Sequence, residues 1–170
     1  MIENENKNFE NIIDLKGELK KYGIEGKYFY LLDVIPLIEL AWADGKIQKM
    51  ELNLIKKFIE KHILNINNAA GSNILTFKDG YDFIEKFTKE RPNPQLMKIL
   101  RSMIVPLRLK SKNPEKDYNQ KINIIKFCLD IGSCCVKNYP YGERDRFDED
   151  EKNVFIEIVK TLGVSPEREI

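Results

Sequence analysis

The residues best placed for chemistry are acids. Asp44-Gly45-Lys46-Ile47 closes an apolar run, and Glu51 follows on what reads as the first turn of the next helix. The pattern Asp-Gly-Lys-Ile-x-x-x-Glu has the spacing of the end of a calcium-binding EF-hand loop, where alternate oxygens and a closing glutamate surround the ion. The front half of such a loop is missing. Its first and third ligand positions fall on Leu40 and Trp42, whose side chains offer no oxygen, so a true EF-hand is not expected. Each acid also has a plain structural alternative. Asp-Gly is ordinary turn chemistry after a helix, and a glutamate at the third helical position bonds back to the N-cap amide, contributing about 0.5–1 kcal/mol.

Other chemistries are thinly represented. The chain has one histidine, His62, and three cysteines, Cys128, Cys134 and Cys135. That is too few for a disulfide framework, a structural zinc site or a Ser-His-Asp or Cys-His arrangement. There is no Gly-rich phosphate loop and no Gly-x-Ser-x-Gly elbow. Acid–base chemistry by carboxylates alone is the enzymatic route left open. With 28 basic and 27 acidic residues, the formal charge of +1 gives no electrostatic case for nucleic acid or an acidic membrane as main partner. No apolar run approaches the ~20 residues a membrane helix needs, and the acidic Met1–Glu10 segment is unlike a signal peptide. A cytoplasmic protein without direct membrane insertion is the expectation.

The elements that must hold these residues read as helices throughout. Phe9, Ile12, Ile13, Leu15 and Leu19 form an N-terminal arm or short helix before Gly23 and Gly26. Tyr28 to Ala43 is apolar nearly all round, as in a helix surrounded by others, with Pro36 in its first turn or at a kink. Leu52, Ile55, Phe58, Ile59 and Ile63 mark a half-buried helix to about Leu64, and Asn65–Ser72 reads as a loop. Lys78–Lys89 is helical and stops at Pro92 and Pro94. Pro94 opens a further helix that Pro106 should bend or end. A long helix runs from about Glu115 to Lys137, and the last clear one opens at Asp148 and stops at Gly163. No segment alternates with period two, so the fold class is all-α.

The hairpin that carries Asp44 has a second copy. A slide of 100 residues places Glu51 on Glu151, Ile55 on Phe155, Phe58 on Ile158 and Ile59 on Val159. A slide of 91 places Leu37 on Cys128, Ile38 on Leu129, Glu39 on Asp130 and Ala43 on Cys134. The second turn is therefore nine residues longer; Cys135 stands where Asp44 does, and the inserted loop brings Glu143, Asp145 and Asp148. Two helix-turn-helix repeats, about 33–64 and 122–163, suggest a compact pseudo-symmetric bundle with the hairpins facing each other.

Ala43-Asp44-Gly45-Lys46-Ile47 with Glu51, inside duplicated helical hairpins, resembles the TerB family of tellurite-resistance proteins and the TerB-like domain of a DnaJ-type co-chaperone. The resemblance spans about residues 28–164. It implies a bundle of about seven helices, an acidic cluster that binds a divalent cation, and a cytoplasmic stress-response role alongside protein partners, some membrane-bound, without catalysis. On this reading residues 1–27 are an arm and 28–170 a single TerB-like domain.

A hard cation such as calcium, magnesium or manganese needs about six oxygens, which two facing hairpins supply only once folded. The candidate ligands are Glu39, Asp44, Glu51, Asp130, Asp145, Asp148 and Glu151. Glu39 and Asp130 sit at equivalent places in apolar helices, where a carboxylate needs a partner or water. His62 falls on Leu162 under the slide of 100 and is expected to pack rather than react. Cys134 and Cys135 offer soft-metalloid chemistry, but their apolar helix favours packing. The competing functions are an interaction adaptor whose acids only cap helices, and a carboxylate-dependent hydrolase, which needs acids converging in a cleft.

Overall fold

The computed structural model describes residues 17, 19–134 and 149–164, and within them the chain is all-helical. A 3-10 helix, Gly26–Val34, leads into α1 (Ile35–Ala41), followed by α2 (Lys49–Ala70), α3 (Phe77–Thr88), α4 (Pro94–Ser102), α5 (Ile104–Arg108), α6 (Pro114–Cys134) and α7 (Glu149–Leu162). The expected count of about seven helices holds. The two hairpins differ in build, α1 having 7 residues against 21 in α6, and α2 having 22 against 14 in α7.

The most apolar stretch of the sequence becomes the axis of the bundle. Ile35, Leu37, Ile38 and Ala41 of α1 are completely buried, and the helix packs against α2, α3, α4, α6 and α7. Burying a leucine or isoleucine side chain contributes about 1.5–3 kcal/mol, so this short helix holds a large share of the core. Leu19 and Ile24, from the segment read as an arm, are also fully buried in that core. Pro36 lies in the first turn of α1, where its missing N–H breaks no bond, so no kink is needed.

Two boundaries differ from the expected ones. Helix α2 does not end near Leu64 but runs to Ala70, where Gly71 takes the left-handed cap at φ 71°. Periodicity missed the extra turns because their inward residue is polar. Asn67 is buried, donates from Nδ2 to Leu75 O at 2.8 Å and accepts at Oδ1 from Leu75 N at 3.0 Å, so it closes the following loop onto the helix. The Pro106 break appears upstream, at Met103 between α4 and α5, because proline cannot donate to the carbonyl four residues back and its ring crowds it. Helix α6 is described to Cys134, and 135–137 lie outside the described residues.

Helix α3 crosses α2 at close range. A Cβ on Gly80 would stand 2.7 Å from Ile63 Cδ1 and 3.0 Å from Ile59 Cγ1, so a larger residue there requires these side chains to shift. Thr76 caps α3 reciprocally with Asp79: Asp79 N donates to Thr76 Oγ1 and Thr76 N to Asp79 Oδ2. The backbone bond from Thr76 holds the Asp79 carboxyl below its ordinary range.

Candidate functional site

The expected acids take separate structural places. Glu51 is 2% exposed and accepts a hydrogen bond from Gln48 N at 2.9 Å, the capping geometry at the start of α2. Asp44 is exposed in the turn after α1, with Lys46 N 3.5 Å from its Oδ1 and Gly45 at φ 101°. Asp130 is exposed on α6, whereas Glu39 on α1, which a slide of 91 residues in the sequence aligns with it, is largely buried. Glu151 is buried on the first turn of α7. Asp145 and Asp148 lie outside the described residues, as does Cys135. Cys128 is fully buried, and burial pushes its thiol up, which agrees with a packing role. Trp42, at a missing EF-hand ligand position, donates from Nε1 to Phe87 O at 2.8 Å.

Glu39 faces a cation supplied by the protein itself. Arg101 is 5% exposed; its Nη1 donates to Glu39 Oε1 and its Nη2 to Glu157 Oε2 at 3.3 Å. Burial raises the Glu39 carboxyl to about 7, against the lowering effect of Arg101, and the nearby Glu157 charge adds to the rise. The three side chains join α1, α4 and α7 beside a cleft of about 270 Å³ that Trp42 and Lys98 also line. A guanidinium thus occupies the counter-charge position that a metal ion would need. Among the described residues, no three His, Cys, Asp or Glu side chains converge as a ligand set.

A second polar cluster was not foreseen. Asp33 is completely buried, and its carboxylate accepts from Arg108 Nε at 3.2 Å, Arg108 Nη2 at 3.3 Å and Gln120 Nε2 at 2.8 Å. Gln120 Nε2 also lies 3.3 Å from His62 Nδ1, while His62 Nε2 lies 2.6 Å from Tyr30 O. A carbonyl oxygen only accepts and an amide nitrogen only donates, so Nε2 carries the ring hydrogen and Nδ1 accepts. The 3.7 Å between His62 Nε2 and Asp33 Oδ2 is too long for a hydrogen bond. The residues come together because the 3-10 helix repeats every three residues, placing Tyr30 and Asp33 on one edge. That edge meets α2 through His62, α5 through Arg108 and α6 through Gln120. The His62 ring stacks on Phe58 at 5.5 Å and 16°, and the Arg108 guanidinium lies 5.1 Å from the Tyr30 ring centroid.

Above this cluster opens a cleft of about 590 Å³ between α2, α5 and α6. His62, Arg108 and Gln120 line it together with Asn65 and Asn123, and Lys61 of α2 and Lys116 of α6 also line it. Its acid, Asp117, is already engaged: Ser111 N and Ser111 Oγ each donate to its carboxylate at 2.8 Å. The volume falls within the range of small-molecule sites, about 300–1,000 Å³.

The expectation that His62 packs agrees with its burial and stacking, but its polar environment was invisible to the repeat alignment. Asp33 did leave a signal. It is a lone acid in Leu31-Leu32-Asp33-Val34-Ile35, the same anomaly that singled out Glu39, and a carboxylate in such a run needs buried partners. Comparison with protein-family models, curated proteins and solved structures finds no match to this chain.

Proposed function

We propose that the chain is a non-enzymatic binding domain of the TerB-like, stress-response kind suggested by its first hairpin, recognising its ligand through the cleft between α2, α5 and α6. The observation that carries this reading is the Asp33 cluster. A completely buried carboxylate fixes Arg108 and Gln120, and through Gln120 also His62, so this part of the cleft lining is organised before anything enters it. Both nitrogens of the chain's one histidine are committed, and Asp117 is tied to Ser111, which favours recognition over acid–base catalysis. A cytoplasmic setting with protein partners, some of them membrane-associated, belongs to the same proposal.

The test is an NMR titration of the labelled protein against a panel of small polar metabolites. Shift changes centred on Asn65, Gln120 and Asn123 are expected for some members. No change at these residues across the panel, or turnover of any member, overturns the reading.

Divalent-cation binding is a competing proposal, favoured by the burial of Glu51 and Glu151 at the starts of α2 and α7. On the binding-domain reading the hairpin acids serve the fold. Calorimetry with calcium, magnesium or manganese is then expected to show no binding that Asp44→Ala or Glu51→Gln removes. Binding abolished by either change establishes the cation site instead.

A further inference from the structure

We propose that the α2–α5–α6 cleft takes a small organic oxyanion, a carboxylate or phosphate ester on a hydroxyl-bearing body; this rests on the cleft's being the binding site. Charge carries the first part of the argument. Lys61 from α2, Arg108 from α5 and Lys116 from α6 line one cavity, although 47 and 8 residues separate them in sequence. Neither lysine forms an ion pair among the described residues. The single acid on the wall, Asp117, is satisfied by two Ser111 donors, and Asp33 lies beneath, offset by Arg108. Lys61, Arg108 and Lys116 against Asp33 and Asp117 leave the cleft with one net positive charge, which concentrates anions in a concave site.

Geometry supplies the rest. Asp33 engages Nε and Nη2 of Arg108, which fixes the guanidinium plane and leaves Nη1 outside that pair. A guanidinium held in this way still has both hydrogens of Nη1 and the second hydrogen of Nη2 to donate to an oxyanion, without having to be ordered by the ligand. The lysine ammonium groups act as less directional charges at the mouth, both exposed. Asn65 and Asn123, on facing helices, can each donate and accept, which suits hydroxyl groups, and the Ile66 and Ile74 surfaces beside them suit the face of a sugar or aliphatic ring.

Calorimetry on the full chain at low ionic strength tests this with glucose 6-phosphate, citrate and glucose. Glucose 6-phosphate or citrate is expected to bind, and the stronger of the two identifies phosphate or carboxylate as the preferred head group. Glucose is expected to bind at least about tenfold more weakly. The exposed double variant Lys61→Glu/Lys116→Glu, which leaves the Asp33 cluster intact, is expected to lose at least about tenfold in affinity for the anion. Absence of binding by both anions at about 10 mM, or affinity unchanged in the double variant, overturns the proposal. Glucose binding as tightly as the anions overturns the charge assignment while leaving the cleft as a binding site. A short acidic peptide that binds far more tightly than either anion overturns the small-molecule assignment.

Discussion

Replacing Asp33 with alanine is expected to lower the unfolding free energy by about 3–5 kcal/mol, a large part of the stability of a domain this size. The loss comes less from the missing carboxylate than from what remains. Arg108 keeps a charged side chain only 18% exposed, and Gln120 loses the shorter of its two acceptors. A buried charge without its partner is far costlier than the pair was favourable. The same reasoning predicts that Arg108→Met, which leaves the completely buried Asp33 carboxylate with the Gln120 hydrogen bond and a neutral His62 ring 3.7 Å away, is comparably harmful. Combining Asp33→Ala with Arg108→Met removes both charges. Urea unfolding of the double variant is therefore expected to show a loss smaller than the sum of the single losses by about 1–3 kcal/mol. Strict additivity would show that Asp33 and Arg108 do not depend on each other. The singles also bear on function, since the cleft lining loses its fixed arrangement in each.

Glu39 governs the second large effect, which appears as a dependence on pH. Burial pushes its carboxyl up to about 7 in the folded chain, from an ordinary value of 4.5 when exposed. Between these values the folded state holds a proton that the unfolded state has released, so stability falls as pH rises through this window. The contribution of protonated Glu39 is fully present below pH 4.5 and lost above 7, a change of about 3 kcal/mol. Other carboxylates act oppositely where they are held low, as Asp79 is, so the informative quantity is a difference between proteins. Glu39→Gln keeps the shape and the oxygen facing Arg101 but cannot ionise. Unfolding followed by the fluorescence of Trp42, which shares the cleft with Glu39, is expected to show the wild type losing stability relative to Glu39→Gln from pH 5 to 8. Glu157→Gln removes a neighbouring negative charge and is expected to move the transition to lower pH. Parallel profiles for wild type and Glu39→Gln would refute the assignment.

Much of the fold was legible because it rests on short-range patterns. The apolar run from Leu31 to Ala41 marked the buried axis, and the stripe Leu52, Ile55, Phe58, Ile59, Ile63 marked the inward face of α2; the last four are buried and Leu52 is half-buried. Pro94 marked a helix start. Reading failed where an inward residue was polar. Asn67 looked like loop because nothing local shows that its amide closes on Leu75. The Pro106 break was anticipated, but proline acts on the turn before it, so the boundary moved upstream to Met103.

The candidate site divides along the same line. Glu39 was flagged from its apolar neighbours alone, because the cost of burying a carboxylate depends on what surrounds it along the helix. Its partner was not, since Arg101 lies 62 residues away and one surface-compatible arginine reads like any other. The Asp33 cluster joins residues 75 and 87 positions apart. By itself, then, the sequence determined that the chain is helical, which helices are buried, and that acids stand in places where they need partners. Only the tertiary structure decided which partners they have and that three cations face one cleft. Helix periodicity is set by neighbours three and four residues apart, whereas ion pairing between helices depends on how each is rotated and packed against the next.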